Sequence, residues 1–162
     1  MHKLQERVNS CALFANKDMS ARNRYNPGNN LSMTDLQEYV QFNVRELSGA
    51  RADDAWHALV ETGPVALPHI ITAYDTVRDL SVKLSLITVV CQYSVIEVTP
   101  FLARLLQNNE AEIWKSALDG LVKLGGDPVL EILRAAEAAA SPEKRNWIEE
   151  AVQQIIESHD RP

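Results

Sequence analysis

A period of 31 residues runs through most of this 162-residue chain and restricts its fold more than any single motif does. Steps of 31 from Ala55 reach Leu86, Ala117 and Ile148, and steps from Leu59 reach Val90, Leu121 and Val152. A second set fills the other half of each unit: Leu36, Leu67, Val98 and Val129; Tyr39, Ile70, Phe101 and Ile132; Val40, Ile71, Leu102 and Leu133. Every one of these positions is apolar or aromatic. With 46% hydrophobic residues in the chain, chance would make about half of them polar.

Within a unit the spacing is helical, since Leu67, Ile70, Ile71 and Tyr74 fall at i, i+3, i+4 and i+7. Gly63-Pro64, Ser94-Val95 and Gly125-Gly126 lie between the two apolar sets, again 31 apart, and mark turns. Helix starts are signalled by Asp79, by Asn109 with Glu112, by Asp127 before Pro128 and by Ser141 before Pro142. The spacing predicts helices over 53–62, 65–77, 80–93, 96–108, 111–124, 128–139 and 142–157. A capping-box start at Thr34 with Gln37 and a stop at Gly49 predict one more, over 34–48, with the register of a second helix. Its first-helix mate is missing, because Arg22 to Asn30 is polar and turn-rich. Leu4, Val8, Cys11, Ala12 and Ala15 have helical spacing, so residues 3–16 are expected to supply a substitute cap through a long loop, with a flexible arm as the alternative. The expected division is an N-terminal helix and polar loop over 1–33 and a repeat domain over 34–162, closed by the helix 142–157.

The resulting class is all-α, built of antiparallel helix pairs in about three and a half repeats of 31 residues. Segments such as Asp54 to Pro68 and Ala117 to Gly126 resemble the short bacterial form of the HEAT repeat, including the phycobilisome-lyase-type units, over about residues 34–157. That resemblance implies a right-handed α-solenoid. It implies less about activity: members of the family mostly bind proteins, while some relatives attach or isomerise bilins, excise alkylated bases or neutralise toxins, and one fold hosts many functions.

Charge narrows the choice. The 22 acidic against 16 basic residues give a net charge of -6, which argues against binding the phosphate backbone of nucleic acids. Residues 51–162 hold ten Lys/Arg and seventeen Asp/Glu, a poor footing for the base-excision activity of HEAT-like glycosylases. The N-terminus has no apolar run of the signal-peptide kind, and no segment approaches the ~20 apolar residues of a membrane span. A cytoplasmic protein is expected, with Cys11 and Cys91 as free thiols.

The chain has no phosphate loop, no dinucleotide glycine pattern and no zinc-protease or paired-cysteine motif; its glycines are assigned to helix ends as caps. His57 and His69 are two potential metal ligands without a third in spacing, and are read as surface histidines. Cys91 shares the register of Val60 and Val122 and is read as a small hydrophobe. The acids Glu149-Glu150 and Glu110/Glu112 are assigned to first turns of helices, where they favour the helix dipole. Trp56 is expected in the core; Trp114 and Trp147 are expected to pack between repeats, with an interface anchor as the alternative. No catalytic residue, metal or cofactor is expected.

What remains is a surface. Opposite the buried stripe the second helices carry His69, Thr72, Ala73 and Thr76, then Pro100, Ala103, Arg104 and Gln107, then Glu131, Arg134, Ala135 and Ala138. The expected function is a non-catalytic protein-binding module, an adaptor or a toxin-immunity-type inhibitor, with His69, Thr72, Thr76, Arg104, Gln107, Glu131 and Arg134 contacting the partner from a concave second-helix ridge. The partner is another protein, with no nucleic acid and no membrane, and the chain a monomer or weak dimer. The alternative, from the resemblance, is an accessory subunit of a bilin lyase or isomerase.

Overall fold

A computed structural model describes residues 33–159, so the helix expected over 3–16 and its polar loop lie outside the described residues. The described residues form eight helices and no strand: α1 Met33–Glu46, α2 Ala52–Thr62, α3 Leu67–Thr76, α4 Leu80–Tyr93, α5 Thr99–Leu105, α6 Ala111–Leu124, α7 Asp127–Ala138 and α8 Pro142–His159. The chain is all-α over this span. No helix among the described residues is long and apolar enough to cross a membrane.

Two helices are shorter than their sequence pattern. Segments expected over 65–77 and 96–108 open with 3-10 turns, Pro64–Ala66 and Ile96–Val98, before α3 and α5 begin. The cause is a proline four residues in. Pro68 and Pro100 have no N–H to give to Pro64 and Ile96, so the amides of Leu67 and Thr99 bond those carbonyls instead and tighten the turn. The far end of α5 also stops early, with Gln107 N–H bonded to Arg104 O and Asn108 N–H to Leu105 O in a tightened turn. Lys144 Nζ then donates to the Leu106 and Asn108 carbonyls at 2.7 and 3.1 Å, capping that end from α8. Burial lowers the Lys144 pKa below the usual lysine range.

The expected turns are where the chain reverses. Gly63, Ser94 and Gly125 all hold positive φ (75°, 50° and 62°), although only serine among them carries a Cβ that disfavours it. Asp79 caps α4, its carboxylate accepting from the Ser81 and Val82 amides at 2.8 and 3.2 Å; the Ser81 hydroxyl, then those amides, hold its pKa below the ordinary range. Two starts are shifted from expectation. Glu110, not Asn109, takes the cap conformation before α6, because Asn108 Oδ1 accepts the Glu110 amide at 2.9 Å and fixes the turn one residue later. Gly126 caps α7, with Asp127 already helical.

The helices lie in two rows. In the first, α2 packs on α4, α4 on α6 and α6 on α8; in the second, α1 packs on α3 and α5 on α7. The Tyr74 and Phe101 rings, 5.2 Å apart and edge-on, join α3 to α5. Contacts along the first row couple residues about one period apart: Trp56 Nε1 donates to Thr88 Oγ1 at 2.9 Å, Tyr93 Oη to the Leu59 carbonyl at 2.9 Å, and Lys123 Nζ to Gln92 Oε1 at 3.3 Å. Between the rows lies the core, in which Ala55, Leu86, Ala117 and Ile148 are all buried, as are Leu59, Val90 and Leu121.

Four assignments change. Ala73 belongs to the core rather than the surface ridge, because α1 lies along α3 at that point. Gly120 is inside α6 and no cap: a Cβ there would overlap Cys91 Sγ and come within 3.0 Å of Leu102 Cδ1, so it permits close approach of α4 and α6. Glu149 and Glu150 lie in mid-α8, well past the first turn, since the helix begins at Pro142. Trp56 is only half-buried, since its indole N–H reaches out to Thr88. Trp114 is buried against α8, while Trp147 stays 42% exposed with its ring edge-on to Trp114 at 6.3 Å. Lys115 Nζ sits over both rings, at 5.2 and 4.6 Å.

Candidate functional site

Three of the seven predicted contact residues meet in one groove. His69, Thr72 and Thr76 line one wall of a groove of about 370 Å³ between α1 and α3, whose other wall is Gln37, Gln41 and Arg45. Its floor is apolar: Val44 and Ala73 are buried and Val77 half-buried. Helical spacing explains the walls, since 37, 41 and 45 recur every fourth residue on α1 and 69, 72 and 76 follow the three-to-four rhythm on α3.

The other four predicted residues are elsewhere. Arg104 is engaged with the exposed carboxylate of Asp75, its two nitrogens 3.2 and 2.9 Å from the two oxygens, and its guanidinium lies 5.5 Å from the Phe101 ring centre. That cation is spent in tying α5 to α3. Gln107 lines a second cavity of about 370 Å³, with Asn109, Ala140, Glu143 and Lys144, where the ends of α5 and α7 meet the starts of α6 and α8. Glu131 and Arg134 are exposed on α7 and border neither cavity.

Gln37, Gln41 and Arg45 were not among the predicted contacts, yet a signal for two of them existed. Gln41 and Arg45 stand 31 residues before Thr72 and Thr76, so the ridge register extends onto α1.

Hydrogen bonding decides what the groove offers a ligand. The hydroxyls of Thr72 and Thr76 donate to the Pro68 and Ala73 carbonyls, each at 2.9 Å, leaving those oxygens as acceptors with methyl groups beside them. His69 Nε2 is buried without a hydrogen-bond partner among the described residues. Tyr74 Oη and Thr99 Oγ1 are buried and unpaired there as well, and desolvation raises the Tyr74 pKa against the opposing influence of Arg104.

Chemistry-bearing groups outside the groove stay apart. His57 is exposed, 3.8 Å from Asp53, and no cluster of three or more metal-ligating side chains occurs among the described residues. Cys91 is half-buried beside Thr88, Gln92 and Asp119, and burial, only partly offset by Lys123, pushes its thiol up to about 11. Iodoacetamide labelling of a folded Cys11→Ser variant is therefore expected to rise with a midpoint near pH 11. A midpoint near the ~8.5 of a free thiol would contradict that burial.

No protein family, no curated protein and no solved structure matches this chain.

Proposed function

We propose that this chain is a non-catalytic, cytoplasmic protein-binding module, an adaptor or a toxin-immunity-type inhibitor in a bacterial cell, that holds its partner on the outer face of α1, α3, α5 and α7. In this proposal the fold is a right-handed, HEAT-like α-solenoid of about three and a half helix pairs, with that face as its concave side. Its architectural support is the period of 31 residues together with contacts between residues about one period apart along the first row. The observation that carries the functional reading is the groove between α1 and α3, which gathers His69, Thr72 and Thr76 over an apolar floor. A polar rim around an apolar floor is the composition of protein interfaces.

The test is site-specific photo-crosslinking in the native host. A photoreactive amino acid replaces Thr72, Thr76 or Arg134 on the proposed face, or Asp119 or Glu150 on exposed positions of the opposite row. A discrete protein adduct from the first three positions and none from the last two is the expected result. Adducts from the opposite row alone, or from none of the five, overturn the proposal.

A further inference from the structure

The groove between α1 and α3 has a charge unlike that of the chain. The protein carries 22 acidic and 16 basic residues, yet among the described residues no carboxylate lines this groove. Two acids that neighbour lining residues in sequence are occupied by other arginines: Glu46 accepts from Arg51 at 2.8 Å, and Asp75 from Arg104 at 2.9 Å; Glu38, beside Gln37, is exposed but does not line the groove. Arg45 is left as an exposed cation with no ion-pair partner among the described residues.

The donors in the groove point the same way. Gln37, Gln41 and Arg45 line one wall at successive helical turns of α1. His69 lines the facing wall on α3, its Nε2 buried and without a hydrogen-bond partner among the described residues. Because the Thr72 and Thr76 hydrogens are committed to backbone carbonyls, the donors the groove offers come from Gln37, Gln41 and Arg45. Beneath them Val44, Ala73 and Val77 offer apolar contact.

We infer that this groove takes an acidic peptide segment of the partner protein, with a carboxylate on Arg45 and a neighbouring aliphatic or aromatic side chain on the floor of Val44, Ala73 and Val77. The inference rests on the protein-binding reading and names the class of partner surface. Charge complementarity also discriminates against the chain's own N-terminal segment as occupant, since residues 1–30 hold five basic and two acidic residues, the wrong sign for Arg45.

Selection of random twelve-residue peptides displayed on phage against the immobilised full-length protein tests this. Enriched peptides are expected to carry net negative charge with at least one large apolar residue. The best of them, made synthetically, is expected to bind about tenfold or more weakly to Arg45→Glu, in keeping with a charge-assisted bond, and unchanged to Lys123→Glu on α6. Circular dichroism confirms that both variants are folded; both side chains are exposed. Enrichment of basic or uncharged peptides, no enrichment at all, or equal binding to Arg45→Glu overturns the inference. The two failures are separable. Crosslinks from Thr72 alongside selected peptides of basic charge remove the acidic assignment alone, whereas a lack of crosslinks removes the reading beneath it.

Discussion

Leu121→Ala is expected to lower the unfolding free energy by about 2–5 kcal/mol, a large part of the ~5–15 kcal/mol that holds a domain of this kind together. Leu121 is fully buried, and its helix α6 touches α4, α5, α7 and α8. Neighbours on every side mean that none can move into the space of the lost side chain without leaving another contact, so most of the cavity persists. Val152 occupies the same register one period later, but it is half-buried on α8, which packs chiefly on α6 and α7. Val152→Ala is accordingly expected to cost only ~1 kcal/mol, the transfer energy of the partly exposed methyl groups it removes. Urea denaturation followed by circular dichroism measures both, with the midpoint moving and the slope unchanged if the chain unfolds as a unit. Equal losses at the two positions would mean that burial does not vary along the register as the structure has it.

That contrast shows what periodicity transmits and what it does not. Ala55, Leu86, Ala117 and Ile148 are uniformly buried in the core between the rows, so their register could be read from hydropathy. Second-row positions depend on local packing: Tyr39, Ile71 and Ile132 keep the pattern yet stay half-buried, while Ala73, assigned to the surface ridge by its register, is covered by α1. Helix starts were legible where the capping side chain directly precedes the helix, as at Asp79, and displaced where a neighbouring residue reshapes the turn, as at Pro68, Pro100 and Asn108. The site was half legible. One wall of the groove follows from the ridge of α3, but the other belongs to α1, whose pairing with α3 no local pattern announces. Arg104 illustrates the remaining gap, because a sequence exposes the charge of a residue and hides the carboxylate that consumes it.

Gly120→Ala is expected to destabilise the protein by ~1–2 kcal/mol, against the usual benefit of replacing a helical glycine by alanine. In an open helix that change would gain about 1 kcal/mol. Here the new Cβ overlaps Cys91 Sγ and stands 3.0 Å from Leu102 Cδ1, so overpacking of about 1–3 kcal/mol opposes the gain and wins. The two obstacles differ in kind. Leu102 Cδ1 is the tip of a side chain that can rotate away, whereas Sγ sits one bond from the Cys91 Cβ on the facing helix. Removing the sulfur alone should therefore reverse the sign: in a Cys91→Ala background, Gly120→Ala becomes neutral or stabilising by up to ~1 kcal/mol, a coupling of about 2 kcal/mol between the two sites. Thermal or urea melts of the four proteins in this cycle give the answer, and additive losses in the double variant would show that Sγ is not the obstacle. Because this contact lies in the row away from Arg45 and the groove, the same four proteins, while folded, are expected to bind a selected acidic peptide equally well. Row spacing and ligand chemistry are carried by separate residues, and the cycle tests the first without disturbing the second.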